Sequence, residues 1–185
     1  MNIKKIALAL TLAVGCTVAA HAASPSANPT VGGAPMLASK DIVDNAANSK
    51  DHTTLVAAVK AAGLVDTLKG AGPFTVFAPT NAAFDALPSG AVQSLLQPEN
   101  KSKLTAVLTY HVVPGKLDAA AIAAQIKAGG GKAELKTVQG ETLTARAAGG
   151  KVTVTDSKGN AANVTVANVY QKNGVIHVVD KVLMP

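Results

Sequence analysis

The 185-residue chain has one cysteine, no tryptophan, two tyrosines, three phenylalanines and a single arginine, Arg146. Each scarcity narrows what the protein can be. Cys16 lies inside the N-terminal apolar stretch, so no disulfide framework and no cysteine-ligated metal site is available, and removal of that stretch would leave no thiol nucleophile. Packing alone must then hold the domain together. Bases outnumber acids, 17 Lys and Arg against 11 Asp and Glu, a formal charge of +6. They are scattered lysines, without the arginine forks, basic stripe or stacking aromatics of a nucleic-acid binder, so no nucleic-acid partner is expected. The charge is suited at most to weak attraction by acidic polysaccharide or lipid headgroups.

Long apolar runs are also few. The first is in MNIKKIALALTLAVGCTVAAHA, where Lys4 and Lys5 precede an apolar run from Ile6 to about Ala20 that closes on Ala20-His21-Ala22. The run is shorter than the roughly 20 residues of a spanning helix, and a small-x-small end fits a signal-peptidase site. Residues 1–22 therefore read as a signal peptide, leaving a secreted or periplasmic protein with no transmembrane segment after cleavage. The runner-up is a lipid anchor through Cys16, because Leu12-Ala13-Val14-Gly15-Cys16 resembles a lipobox in which Ala13 fits poorly. Cleavage removes Lys4 and Lys5 and no acid, so the balance becomes 15 − 11 = +4. Residues 23–35, ASPSANPTVGGAP, read as a flexible leader, and the packed domain is expected over 36–185.

What remains has the composition of a globular domain, 48% hydrophobic and 15% charged, and changes period midway. Asp41 to Lys69 is helical in pattern, with Leu55, Val59 and Ala62 at i, i+4, i+7 and Gly63 as a stop. Gly70-Ala71-Gly72-Pro73 is a turn; a phosphate loop would end in Gly-Lys-Ser/Thr and open a helix. All three phenylalanines then fall in FTVFAPTNAAFDAL, residues 74–87. Phe74 to Ala78 suits a buried strand, Pro79-Thr80 a turn, and Thr80 the N-cap of a helix that Pro88 ends. Helical stretches follow at Ala91 to Gln97 and Lys101 to Val112, the second carrying Leu104, Val107, Leu108 and His111 at i, i+3, i+4, i+7. Asp118 caps a further helix that faces inward with Ile122 and Ile126 and stops at Gly129-Gly130-Gly131. From Lys132 the period is two, and five strands are expected between Lys132 and Leu183, with a hairpin at Asn173-Gly174. Helices first and strands last indicate an α+β fold with mostly antiparallel strands.

Three landmarks occur in order, "TVFAPTNAAF", "LTYHVV" and "NGVIHVVDKVLMP". Together they resemble the fasciclin domain family over roughly Lys40 to Pro185, and in particular the small secreted bacterial proteins made of one such domain. The resemblance implies a wedge-shaped β-sandwich with helices packed on it, extracellular placement, and adhesion or binding of a cell-surface or matrix protein or glycan by a monomer. Thr80 and Asn81 match the first block, Tyr110 and His111 the central Tyr-His pair, and His177 with Asp180 the last block. By resemblance all are structural motif residues, with Tyr110 as the candidate binding contact. Animal relatives carry an integrin motif before the last block, but here Asn168 stands where its aspartate is expected and Ala167 replaces its lysine, so integrin binding by that route is not expected.

The residues themselves show no catalytic constellation. There is no His-Glu-x-x-His, no Gly-x-Ser-x-Gly, and no pair of histidines at i, i+4. His111 reads as a buried, hydrogen-bonded imidazole, with the Thr80-Asn81 corner as its expected partner. His177 alternates with Val175 and Val179 on one strand face, His52 beside Asp51 reads as a solvated polar cap, and the Asn163-Val164-Thr165 sequon as strand alternation. No enzyme, metal or cofactor is expected. Two other functions are carried forward: a carrier of a small apolar ligand between sheet and helices, and a hydrolase using His111 or His177 with Asp180.

Overall fold

The computed structural model describes residues 28–185. The signal peptide expected over 1–22, Cys16 with it, and the first residues of the leader lie outside the described residues. The expectation of a flexible leader is corrected over 28–35, which are part of the fold. Strands β1 (Thr30–Val31) and β2 (Ala34–Pro35) pair as a small hairpin, and Val31 and the following Met36 are 6% and 5% exposed. Asn28 hydrogen-bonds both the N–H and the carbonyl of Tyr170. Two buried apolar side chains and a doubly bonded amide offset the ordering entropy of a segment whose composition is that of a linker.

Helix α1 (Ile42–Asn48) is capped by Asp41, whose carboxylate accepts from the Asp44 N–H. A 3₁₀ turn at Lys50–His52 leads into α2 (Thr53–Ala62), and α3 (Val65–Lys69) ends the first helical layer. Strand β3 (Phe74–Pro79) runs straight into α4 (Asn81–Asp85), followed by α5 (Ala91–Leu96) and α6 (Lys101–Tyr110). Val112, expected to close that last helix, instead opens the short strand β4 (Val112–Pro114). Two β-branched residues ahead of a proline fit an edge strand better than a helix end. Helix α7 (Ala119–Ala128) then precedes β5 (Lys132–Lys136), β6 (Thr142–Ala148), β7 (Lys151–Thr155), β8 (Ala161–Gln171) and β9 (Gly174–Val179).

The larger sheet runs β4-β3-β9-β8-β7-β6-β5 and is antiparallel except for β3 against β9. The expected α+β class with mostly antiparallel strands is what the structure has. The layered shape comes from one sheet bent over on itself. The eleven-residue β8 pairs with β7 through its first residues and with β9 through the rest, with register shifts between Val164 and Val169 where it turns. Val138 N–H donates to the Val112 carbonyl at 2.8 Å, so the two outer strands almost close the sheet into a barrel.

Two cores result. The inner one, between the halves of the bent sheet and under α7, holds Phe77, Tyr110, Ile122, Leu143, Val154 and Val179. The outer one, between the sheet and α1, α2 and α6, holds Ile42, Leu55, Val59, Val76, Leu108 and Val178. Strand periodicity explains how they interlock: Val76 and Ala78 face the helices while Phe77 faces inward, and in β9 Ile176 and Val178 face the helices while Val179 faces inward.

Candidate functional site

The Pro79-Thr80-Asn81 corner is a joint. Thr80 has extended backbone (φ −75°, ψ 166°) and its hydroxyl accepts from the Ala83 N–H, capping α4. Asn81 reaches across to a different helix. Its Oδ1 accepts from the Thr54 N–H at 3.0 Å and its Nδ2 donates to the Lys50 carbonyl at 2.8 Å. The residue before α2, His52, makes no side-chain cap, so Asn81 satisfies that helix's N-terminus from outside. One corner thus ends a central strand, starts one helix and caps another.

His111 is buried, 2% exposed, and both ring nitrogens are used. Nδ1 lies 2.8 Å from the Val107 carbonyl, and Nε2 accepts from the Leu183 N–H at 3.0 Å. The ring is therefore neutral, with its proton on Nδ1. Burial drives its pKa down to about 4, against weaker support for the charged form from the Val107 carbonyl and Asp156. The partner expected at Thr80-Asn81 is corrected: His111 follows the last turn of α6 and faces the C-terminal segment, while Asn81 is engaged with α2. The neighbouring side chain takes the other layer. Tyr110 is 0% exposed in the inner core. Its hydroxyl accepts from Ser157 N–H at 3.0 Å and is 3.4 Å from the Thr142 carbonyl. A partner contact through an exposed Tyr110 hydroxyl does not fit this burial; the adjacent Tyr and His instead pin the β7–β8 turn and the chain's last residues.

In the last block, His177 stands beside Phe77 across the parallel strands, ring centroids 5.6 Å apart, and its Nε2 lies 2.8 Å from the Leu117 carbonyl. Burial again lowers its pKa. Asp180 is not paired with it. Both Asp180 oxygens accept from Asn163, one from the backbone N–H at 2.7 Å and one from the side chain at 2.9 Å. The histidine-carboxylate pair that a hydrolase would need is not assembled by either His111 or His177, and His111 has no nitrogen free to act as a base. His52 differs from its expected place as well. It is 2% exposed, because α1, the N-terminal hairpin and the sheet close over the 3₁₀ turn.

Several polar groups that organise this region escaped the sequence reading. Asp156 is 5% exposed and accepts from Lys158, Asn160 and Met184 backbone N–H groups and from the Asn160 side chain. Burial alone would raise its pKa, but these hydrogen bonds outweigh that and hold it below the ordinary carboxylate value. The Asp156-Ser-Lys-Gly-Asn run was a usable turn signal, though nothing local announces the Met184 contact. Asn168, at φ 60°, accepts from the Ala119 N–H at the start of α7, so the residue standing in the integrin-motif position is spent on a helix end. Between α1, α2, α6 and the sheet is an apolar cavity of about 30 Å³, lined by residues including Ile42, Val59, Val76 and Leu108. A benzene-sized guest takes a cavity of about 150 Å³, so this space gives no support to a small-ligand carrier.

A shared arrangement of blocks, bent sheet and buried Tyr-His pair invites comparison with known domains, and the Fasciclin domain profile matches residues 50–185. The chain belongs to the fasciclin domain family. It is 54% identical over 144 residues to Protein sll1483 of Synechocystis, covering 78% of this chain and 73% of that one. It is 38% identical over 166 residues to Immunogenic protein MPB70 of Mycobacterium bovis, covering 86% and 77%. A pig protein, Transforming growth factor-beta-induced protein ig-h3, is 37% identical over 144 residues, but this chain spans only 19% of it. In fold, the chain resembles the domain pair of the insect cell adhesion molecule Fasciclin I with a TM-score of 0.70 at 18% identity, covering 79% of this chain and 51% of that structure. This fasciclin domain therefore corresponds to about half of the insect pair. Among the described residues no helix is long and apolar enough to cross a membrane.

Proposed function

We propose that the protein is a non-catalytic interaction module, secreted or periplasmic, that binds a cell-surface or matrix protein or glycan. Family membership supports the reading through relatives whose names place them in adhesion or at the cell surface, the insect adhesion molecule and the Mycobacterium bovis Cell surface glycolipoprotein MPB83 among them. The observation that carries it is internal: Thr80, Asn81, Tyr110, His111, His177 and Asp180 spend their polar atoms on the fold. What is left for function is the outer surface. Export rests on Ala20-His21-Ala22, and intact-mass measurement should find a mature chain beginning at Ala23, whereas a lipidated species beginning at Cys16 would replace a free protein by an anchored one.

The test of binding is titration of the purified mature protein onto immobilised envelope and matrix fractions. Saturable binding is expected, weakened less than about tenfold from low to moderate ionic strength, because scattered lysines provide little long-range steering. Turnover of ester, glycoside or phosphate substrates that disappears in His177→Ala or Asp180→Ala would overturn the reading in favour of an enzyme.

A further inference from the structure

His52 is buried on the underside of the N-terminal hairpin with its hydrogen bonding incomplete. Nδ1 is 2.9 Å from the Ser49 hydroxyl, while Nε2 is buried and has no hydrogen-bond partner. The ring borders a void of about 10 Å³, enough for at most one water, lined by Val31, Met36, Ala78, Val169, Ile176 and Val178 among others. Val31 and Met36 belong to the hairpin segment; the other four belong to the sheet.

The segment that covers this ring is held at few points. Lys50 N–H donates to the Gly32 carbonyl at 3.2 Å, the Asn28 side chain bonds both the N–H and the carbonyl of Tyr170, and just past the segment the Asn45 side chain bonds both the N–H and the carbonyl of Leu37. Gly32, at φ 58°, comes so close to Ser49 and to the Lys50 and Asp51 backbone that a Cβ there would collide with them. We propose that residues 28–36 are a strap latched over a neutral His52, and that mild acidification protonates His52, releases the strap and uncovers the apolar sheet face beneath it.

The chemistry around the ring has one sign. Burial lowers its pKa and outweighs the Ala78 backbone carbonyl, which lies near the ring without a well-formed hydrogen bond to Nε2 and favours the charged form. Asp51, its chain neighbour, favours the charged form but is outweighed. Among the described residues that line the void beside the ring, no other titrates: the strap offers Val31 and Met36, α1 Ala46 and its C-cap Ser49, β3 Ala78, β8 Val169, and β9 Ile176 and Val178. The adjoining α2 begins with Thr53 and Thr54, and α4 reaches the turn through the neutral Asn81. When the strap lifts, the ring meets water and regains an ordinary pKa near 6.5. A proton bound more tightly in the open state raises the opening equilibrium as pH falls through 6.5, by up to about tenfold between pH 7.5 and 5.5. The same step exposes an apolar patch, so acid would convert a covered face into an adhesive one.

Residue-resolved hydrogen exchange on the full mature protein tests this, read at Val31, Ala34 and Met36 and at Lys50 and Tyr170, whose N–H groups donate to the strap. After correction for intrinsic rates, these amides should exchange faster than those of β9 at pH 7.5 and faster again at pH 5.5, by several-fold and at most about tenfold. In His52→Gln that ratio should fall to about one, while β9 keeps its own pH response. Val31→Ala, which loosens the strap without touching the imidazole, should speed exchange at both pH values and keep the ratio. Strap and β9 amides exchanging together at each pH, a ratio near one in the unaltered protein or in Val31→Ala, or the unaltered protein's ratio surviving in His52→Gln would each overturn the proposal.

Discussion

His111 makes two hydrogen bonds of opposite sense from one ring, and its neutrality is what permits both. Replacing it by Ala leaves the Leu183 N–H without an acceptor and opens a hole beside Leu108, so a cost of about 2 to 4 kcal/mol is expected from the shift of a urea midpoint. An unchanged midpoint would contradict the burial. The same neutrality makes stability depend on acid. With a folded pKa of about 4 against roughly 6.5 unfolded, the unfolded chain binds the extra proton; the contribution is complete above pH 6.5 and is lost as pH falls toward 4. At pH 5 the loss from His111 alone is about 2 kcal/mol, and His52 and His177, both shifted in the same direction, add to it. Urea titrations at pH 7.5 and 5 should show it, and His111→Asn should reduce the difference. That His111 would be buried could be read from its place among Leu104, Val107 and Leu108. Its partners could not, because Leu183 is brought to it only by tertiary folding.

Between elements, the repeated device is an asparagine side chain that serves another segment's backbone. Asn81 holds the start of α2, Asn168 the start of α7, and Asn173 accepts from the Ile42 N–H while donating to the Leu68 carbonyl. Asn81→Ala should cost about 1 to 2 kcal/mol, with the loss of protection concentrated at the Thr54 amide in hydrogen exchange. A uniform loss across the fold would argue against a capping role. Local pattern was a sound guide to the elements themselves, since caps such as Asp118 and breaks such as Pro88 act within a few residues. It misread the last hairpin. The tip is Lys172-Asn173, and Gly174 already pairs with Gln171 in the ladder. Gly174 is needed for closeness rather than for a turn: a Cβ there would run into the Phe74 carbonyl of the parallel neighbour β3. No window of sequence contains that neighbour, which lies a hundred residues earlier.

At the scale of the whole molecule, β3 and β9 are shared by both cores, and this sets how the protein can fail. Their alternate side chains serve the helical layer on one face and the interior of the bent sheet on the other, so neither layer can lose these strands without the other losing them too. The fold class was legible from the switch of period after Lys132, and the family from three separated blocks, whereas the coupling of the cores depends on a parallel pairing of residues 74–79 with 174–179 that has no local trace. A single cooperative transition is expected. Tyrosine fluorescence, which includes Tyr110 in the inner core, and far-ultraviolet circular dichroism, weighted to the helices over the outer core, should give one urea midpoint. Val178→Ala, in the outer core, should move both signals together by about 1 to 3 kcal/mol, and Phe77→Ala, in the inner core, by about 3 to 5 kcal/mol. Two midpoints, or a variant that shifts one signal and leaves the other in place, would mean that the layers come apart independently and that the shared strands do not bind them into one unit.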